Sequence, residues 1–230
     1  MASIDSNRTQ WRTFILVFAP AVLLAAFATH SYLPGPLPND AAVAEAVVDG
    51  TTRWGWVHLT TSVASGLIVL AFLAVRSYLR EAGEDRLSAV GVPFVVIGST
   101  LFATLPGMEF APLAAAESGA AVTEIEATQA ALAPWFRLVL ISGAVAFAIG
   151  VLAFARAIFV TTVGGPALSR VVAVALIVMA LSRVVPLAAV QFYVQGVATI
   201  VALWPLAYVM RSQPAPHTGQ SRPSLTFRGA

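Results

Sequence analysis

The sequence predicts an all-α, polytopic integral membrane protein with six transmembrane helices, and three observations carry this prediction. The 230 residues are 58% hydrophobic and only 10% charged, whereas a soluble domain carries about 25% charged residues. Apolar blocks of a length that can cross the roughly 30 Å hydrocarbon core of a bilayer recur along nearly the whole chain. The arginines are shared unequally between the two sides that these blocks define. We therefore expect no separate soluble domain.

The apolar blocks divide the chain into three parts. Residues 1–10 are polar and predict a disordered cytoplasmic N-terminus, and residues 211–230 are rich in proline and predict a disordered cytoplasmic tail. Residues 11–210 between them form the predicted six-helix transmembrane domain. Its spans are placed at about 12–33, 54–77, 87–106, 134–158, 168–186 and 189–210.

The first span contains Pro20, which kinks a membrane helix without ending it because neighbouring helices satisfy the freed carbonyl. The sequence PGPLPND then stops the helix. Asn39 or Asp40 can cap a short amphipathic helix from Ala41 to Val48 that Gly50 closes. Since this helix is too short to cross the bilayer, we expect it to lie on the outer surface of the membrane.

The second span, Trp54 to Arg76, carries a polar stripe. His58, Thr61, Ser62 and Ser65 are spaced i, i+3, i+4 and i+7, so they share one side of a helix. Lipid cannot satisfy these groups, and this side is therefore predicted to face other helices or a cavity.

The third and fourth spans are separated by a more polar segment. Gly91 and Gly98 in the third span permit close helix packing, and Gly143 and Gly150 lie one heptad apart in the fourth span. The segment Met108 to Leu132 holds four glutamates and predicts one or two short outer surface helices.

The last apolar block, Val171 to Met210, has 40 residues and is too long for one helix. Arg183 and Pro186 are its interruptions, so the turn between the fifth and sixth spans is predicted between Arg183 and Leu187. Gln191, Gln195 and Thr199 then form a second polar stripe.

The arginines predict the orientation. With the N-terminus in the cytoplasm, ten arginines fall on the inner side and three on the outer side, which is a strong positive-inside bias. This arrangement predicts a multi-pass protein of a bacterial inner (plasma) membrane with both termini cytoplasmic. The three outer arginines are Arg53, Arg137 and Arg183.

Polar side chains concentrate in the outer third of the predicted bundle, and ionisable groups at such depth normally pair or line a wet cavity. The candidate ligand-binding residues are His58, Glu109, Arg137, Arg183, Gln191 and Gln195. A faint resemblance between the second and fourth spans also places His58 and Arg137 at matching positions, as in a duplicated hairpin. Each residue has a structural alternative, which is interhelical hydrogen bonding for the histidine and glutamines and lipid phosphate for the arginines.

His30 and His58 are the candidate metal ligands, because two histidines from two helices can hold one haem b or a copper ion. Neither has a ligand motif around it. The absence of cysteine excludes disulfides, thiolate metal sites and thiol catalysis. The sequence also lacks GxSxG, HExxH and phosphate-binding fingerprints, so it leaves open whether the protein is an enzyme.

Three functions follow from these residues. The first is binding or translocation of a small molecule or lipid through an outer-facing polar cavity. The second is a haem- or metal-binding redox role, and the third is an accessory or assembly subunit of a larger membrane complex. Expected partners are membrane lipids, a small amphipathic ligand, and a complex partner or a second copy of the chain, but not nucleic acid.

Overall fold

A computed structural model of the protein describes residues 2–212, with side chains described from residue 7 onward. This part of the chain is helical apart from its connecting loops and contains no strand. The predicted disordered tail lies outside the described residues from position 213 onward. The helices are α1 (Ala2–Thr29), α2 (Asp40–Asp49), α3 (Thr51–Glu81), α4 (Arg86–Met108), α5 (Phe110–Glu117), α6 (Val122–Thr161), α7 (Pro166–Ser182) and α8 (Gln195–Ser212), the last preceded by a π turn at Val190–Val194.

Five helical stretches are long and apolar enough to cross a membrane: Asn7–Thr29, Thr51–Glu81, Arg86–Glu117, Val122–Thr161 and Val190–Ser212. Large apolar side chains also cover the outside of the bundle, for example Phe14, Leu59, Ile141 and Val174. A soluble protein rarely exposes apolar patches of this extent. The chain is therefore an all-helical bundle suited to a multi-pass membrane protein.

The six long helices form a closed ring in which each helix packs beside its neighbours in the chain. The order around the ring is α1, α3, α4, α6, α7 and α8, and α8 packs back against α1. The short helices α2 and α5 lie across one end and contact α6 and α3. We call this the cavity end, and the end with the α3–α4 and α6–α7 loops the loop end.

The α4–α6 contact is the closest in the ring because glycines let the two backbones approach. A Cβ atom added to Gly98 would lie 2.4 Å from the backbone nitrogen of Phe147, and one added to Gly150 would lie 2.6 Å from that of Val95. Both distances are shorter than van der Waals contact allows. The close packing predicted at Gly98 is confirmed, and Gly150 of α6 contributes to the same helix contact.

Two local predictions match the structure. Asn39 is the N-cap of α2, its side chain accepts a hydrogen bond from the Ala42 N–H at 3.2 Å, and Gly50 follows the helix. The chain turns between Ser182 and the π turn, where Arg183 and Pro186 were expected to interrupt the apolar block. The Leu37 N–H donates to the Pro186 carbonyl at 2.9 Å, which ties the loop after α1 to this turn.

Two helices begin earlier than the sequence suggests. α1 starts at Ala2 instead of after residue 10, and its first turns are held by Arg8 and Arg12, which bond to Glu81 of α3. α6 starts at Val122 and continues through Pro134 without a break. The second half of the expected surface segment is therefore the start of the fourth long helix.

Candidate ligand-binding cavity

A cavity of about 110 Å³ lies at the cavity end of the ring, under α2 and the loop that follows α1. Most of its wall is apolar or aromatic, and a few polar groups converge on it, which is the usual composition of a small-molecule site. The polar or titratable lining residues are His30, Asn39, Asp40, Trp54, His58, Thr61, Glu109, Gln129 and Gln191. Phe27, Phe102, Phe136 and Phe192 supply the aromatic wall.

His30 and His58 come together in this wall, with ring centroids 5.1 Å apart and the rings edge to face. His58 Nδ1 lies 2.7 Å from the carbonyl oxygen of Trp54, and His30 Nδ1 lies 2.7 Å from that of Ser31. A carbonyl only accepts, so each Nδ1 carries the proton and donates. Each Nε2 then has a lone pair, and neither makes a hydrogen bond within the described part of the chain.

His30 lies just after the last residue of α1. Burial lowers the pKa of His30 below its ordinary value, and the nearby Arg53 lowers it further, against the opposite effect of the Ser31 carbonyl. Its neutral form is therefore favoured at pH 7. A neutral imidazole with Nδ1 protonated offers Nε2 as an acceptor.

Trp54 and Glu109 connect α3 to the α4–α5 junction. Trp54 is 2% exposed, and its Nε1–H donates to the backbone carbonyl of Glu109 at 3.4 Å. Its ring lies 4.4 Å from His58 and 5.4 Å from His30, measured between centroids. The Glu109 carboxylate accepts a 2.6 Å hydrogen bond from Gln129 Nε2 of α6. Only one carboxylate oxygen has this partner.

Arg183 lies directly behind the cavity wall, toward the middle of the bundle. Its guanidinium carbon is 4.1 Å from the ring centre of Phe102, which lines the cavity, and 3.4 Å from that of Phe147. In the amide orientation that satisfies both of its atoms, Gln195 accepts from Arg183 Nε and Nη2 at 3.1 and 3.3 Å. Gln191 Nε2 donates to the Arg183 carbonyl at 3.3 Å. Arg183 thus closes the cavity from below.

The structure groups most of the predicted site residues but separates one of them. His30, His58, Glu109 and Gln191 line the cavity, while Arg183 and Gln195 form its support. Arg137 does not line the cavity, and its side chain is exposed on the outside of α6. It therefore does not face His58 across the bundle, as a duplicated hairpin would require.

The polar stripe on α3 points inward as predicted. His58, Thr61 and Ser65 are buried, and Ser62 donates to the Ala103 carbonyl of α4 at 3.2 Å. Thr61 and Ser65 donate to carbonyls of their own helix. The stripe therefore contributes one cavity wall at its histidine end and helix packing further along.

Sequence reasoning missed several residues of the wall. Trp54 is not among the candidate residues, and Gln129 lies in the segment that is predicted to form surface helices. The missed signal is a helical period that runs from Ile125 through Gln129, Ala133 and Phe136, which share one face of α6. Pro134 obscured this pattern because it suggests a helix start.

The cavity does not fit a haem, because about 110 Å³ is far less than a haem occupies. For a single metal ion, the two imidazoles have one favourable feature, since ligand histidines usually donate the second ring nitrogen to a carbonyl or carboxylate. However, residues 7–212 contain no group of three or more His, Cys, Asp or Glu side chains that could hold a metal. Two nitrogen ligands are an incomplete set for a resident copper ion.

Comparison with known proteins adds no assignment. No protein-family model matches the chain, and no curated protein or solved structure is significantly similar to it. The function is therefore argued from the cavity alone.

Proposed function

We propose that this chain is a six-span, N-in/C-in protein of a bacterial plasma membrane that binds a small molecule in the cavity at its outer end. The observation that carries the proposal is the pair of unpartnered Nε2 atoms of His30 and His58 in an otherwise apolar, aromatic cavity. Polar atoms in such surroundings are unfavourable unless something pairs with them. A bound molecule with a matching head group provides that partner.

The path of α7 supports six crossings. This helix has 17 residues and rises about 25 Å, slightly less than the hydrocarbon core. It begins at the loop end, after α6, and ends at the turn that bonds to the loop after α1 at the cavity end. It therefore traverses the ring like the five longer helices. With an even number of crossings, both chain ends lie on the same side.

The size of the cavity limits the ligand. A volume of about 110 Å³ admits a compact molecule or one head group, but not an acyl chain. Below the cavity, Arg183, Phe102 and Phe147 contact one another and close the bundle. Binding is consequently a better description of this conformation than conduction.

The test is a thermal-stability assay of the purified chain in lipid nanodiscs with four ring compounds that differ in head group: cyclohexylamine, cyclohexanol, cyclohexanone and cyclohexanecarboxylate. Ala133→Phe fills the cavity from α6, and its matched control is Ala131→Phe, which adds the same ring at an exposed position of the same helix. We expect at least one compound to raise the Tm of the wild type and the control but not that of Ala133→Phe.

A second variant makes the test independent of the folding of the first. Val43→Phe fills the cavity from α2, and Val48→Phe places the same ring on the exposed side of that helix. If all four compounds shift wild type and both cavity-filling variants equally, or shift none of them, the cavity is not a binding site and the proposal is wrong.

Single cysteines test the orientation, because the chain has no cysteine of its own. Ala41→Cys lies on the exposed side of α2 at the cavity end, and Ala82→Cys lies in the α3–α4 loop at the opposite end. In intact cells, we expect a membrane-impermeant maleimide to label position 41 and to label position 82 only after lysis. The reverse pattern would overturn the N-in/C-in orientation.

A further inference from the structure

The polar atoms of the cavity are unevenly matched. Each side-chain donor atom that lines it already has one protein acceptor, although each amide keeps a second N–H: Trp54 and Gln129 donate to Glu109, Gln191 to the Arg183 carbonyl, Asn39 to the Pro34 carbonyl and Thr61 to the Val57 carbonyl. Fewer of the hydrogen-bond acceptors in the cavity wall have a partner. Within the described residues, no donor reaches Nε2 of His30 or His58, the second oxygen of Glu109 or the carboxylate of Asp40.

The charged side chains that line the cavity also favour a ligand that donates hydrogen bonds. Asp40 and Glu109 line the cavity, and no arginine does. The guanidinium of Arg183 is separated from the cavity by the Phe102 ring. Arg53 stands outside and pairs with Asp49 at 3.6 Å. Two acidic side chains in the wall, with both arginines outside it, favour a positive charge inside, and a bound cation in turn favours the ionised form of Glu109.

The aromatic wall suits the same kind of ligand. Trp54 is 2% exposed, and Phe192 lies 4.6 Å from the His30 ring between centroids. Aromatic faces attract an organic cation within about 6 Å of their centres. An ammonium group also offers three donors, which matches a cavity in which most of the unpaired hydrogen-bonding atoms are acceptors.

On the basis of the proposed function, we infer that the ligand is a small primary ammonium ion with a compact apolar body. Its N–H groups donate to the Nε2 atoms of His30 and His58 and to the Glu109 carboxylate, while its carbon atoms pack against Phe102, Phe136 and Phe192. No bond is made or broken, so the site is a receptor for the amine.

The same four ring compounds test the ligand class. We expect cyclohexylamine, measured below its pKa where it is charged, to bind at least about tenfold more tightly than cyclohexanone, since hydrogen bonds to charged groups are stronger than those between neutral groups. Cyclohexanol, which is a neutral donor of the same shape, should fall between the two. Cyclohexanecarboxylate should bind weakest because two carboxylates repel it.

Three variants at two positions assign the effect to named atoms. Glu109→Gln keeps an acceptor but removes the charge, so the preference for cyclohexylamine over cyclohexanol should disappear. The shorter side chain of His58→Asn keeps an N–H donor near the position of Nδ1, where it can bond to the Trp54 carbonyl. It has no atom that extends as far into the cavity as Nε2 does. His58→Gln places an amide oxygen at that reach, and we expect it to retain more amine affinity than His58→Asn.

The outcomes separate this inference from the function on which it rests. If cyclohexanone or cyclohexanecarboxylate binds as tightly as the amine, and Ala133→Phe abolishes that binding, the cavity is a site but the ligand is not an ammonium ion. Unchanged amine selectivity in Glu109→Gln also contradicts the inference. If no compound gives a shift that depends on Ala133, both the inference and the proposed function are wrong.

Discussion

Each end of the bundle buries an arginine, but only one of the two arginines is paired with a carboxylate. At the loop end, Arg12 is 6% exposed and bonds through both terminal nitrogens to the Glu81 carboxylate, and it also donates to the Ser77 hydroxyl at 2.6 Å. At the cavity end, Arg183 is 2% exposed and lies against two phenylalanine rings and one amide. Its Nη1 atom has no partner in the described chain.

This difference shows which end of the bundle has polar groups that are still free to bind a ligand. At the loop end, Glu81 also pairs with Arg8, and the Glu84 carboxylate accepts from the N–H groups of Leu87 and Ser88 at the start of α4. The buried Arg12 and Glu84 side chains there have their partners within the protein. At the cavity end, acceptors and one buried cation remain only partly matched, as is common where a protein binds something else. Four predictions, the first with a matched control variant, test this contrast.

The largest effect is expected at the tightly packed part of the ring. Gly98→Ala places a methyl group against the Phe147 backbone, which cannot move away without separating α4 from α6. We expect a loss of about 3 kcal/mol or more in the free energy of unfolding, at the upper end for overpacked interiors. Equilibrium unfolding in mixed micelles measures it.

Gly107→Ala is the matched control, because it makes the same change at the cavity end of the same helix, where a Cβ atom meets nothing within 4 Å. It should leave stability unchanged or slightly raised, since alanine is the better helix former. Equal losses in the two variants would show that the helix contact is not as close as the backbone distances indicate.

Arg12→Met should cause the next largest loss. It removes both bonds to Glu81 and leaves a carboxylate that is 34% exposed with Arg8 as its remaining pair. Breaking a fully buried pair costs about 3–5 kcal/mol, and partial exposure reduces this to about 2 kcal/mol. The same unfolding assay measures it, and a variant as stable as the wild type would contradict a structural role for this pair.

Arg183→Met should cost less than Arg12→Met. Its charge has no carboxylate partner among the described residues, and replacing a buried charge by an apolar side chain of similar length is often neutral or stabilising. The lost contacts to Gln195 and the two rings offset part of this gain, so we expect a net change of about 1 kcal/mol or less. A loss larger than that of Arg12→Met would reverse the contrast between the two ends.

Trp54→Phe should have an effect no larger than that of Arg183→Met. It keeps an aromatic ring in the wall but removes the bond from Nε1 to the Glu109 carbonyl, which is long at 3.4 Å. A neutral hydrogen bond contributes about 1 kcal/mol, so the Tm should fall by a few degrees at most. A much larger loss would mean that Trp54 supports α5 and the α2 cover by packing as well.

The sequence was sufficient for the features that depend on local patterns. Apolar length identified five helices that are long enough to cross a membrane, the Asn39 cap and Gly50 bounded α2, and the interruption at Arg183 and Pro186 located the last turn. The inward direction of the His58 stripe followed from its spacing. Each of these depends on residues that are close in the chain.

The predictions that were wrong concern which face of a helix packs against which neighbouring helix. Arg137 and Phe136 are adjacent, but a helix turns about 100° per residue, so Phe136 reaches the cavity and Arg137 points outward. The bond between Glu109 and Gln129 joins residues 20 positions apart on separate helices. Composition and hydropathy contain no information about such a pairing.

The most direct test of the central claim is chemical protection of one cysteine in the cavity wall. In intact cells that carry Ala133→Cys, a small membrane-impermeant methanethiosulfonate reagent should modify the thiol from outside, and cyclohexylamine should slow this modification at least several-fold. Ala131→Cys, on the exposed side of the same helix, should not be protected. Modification of position 133 that occurs only after lysis, or that cyclohexylamine does not slow, would contradict an outward-facing binding cavity.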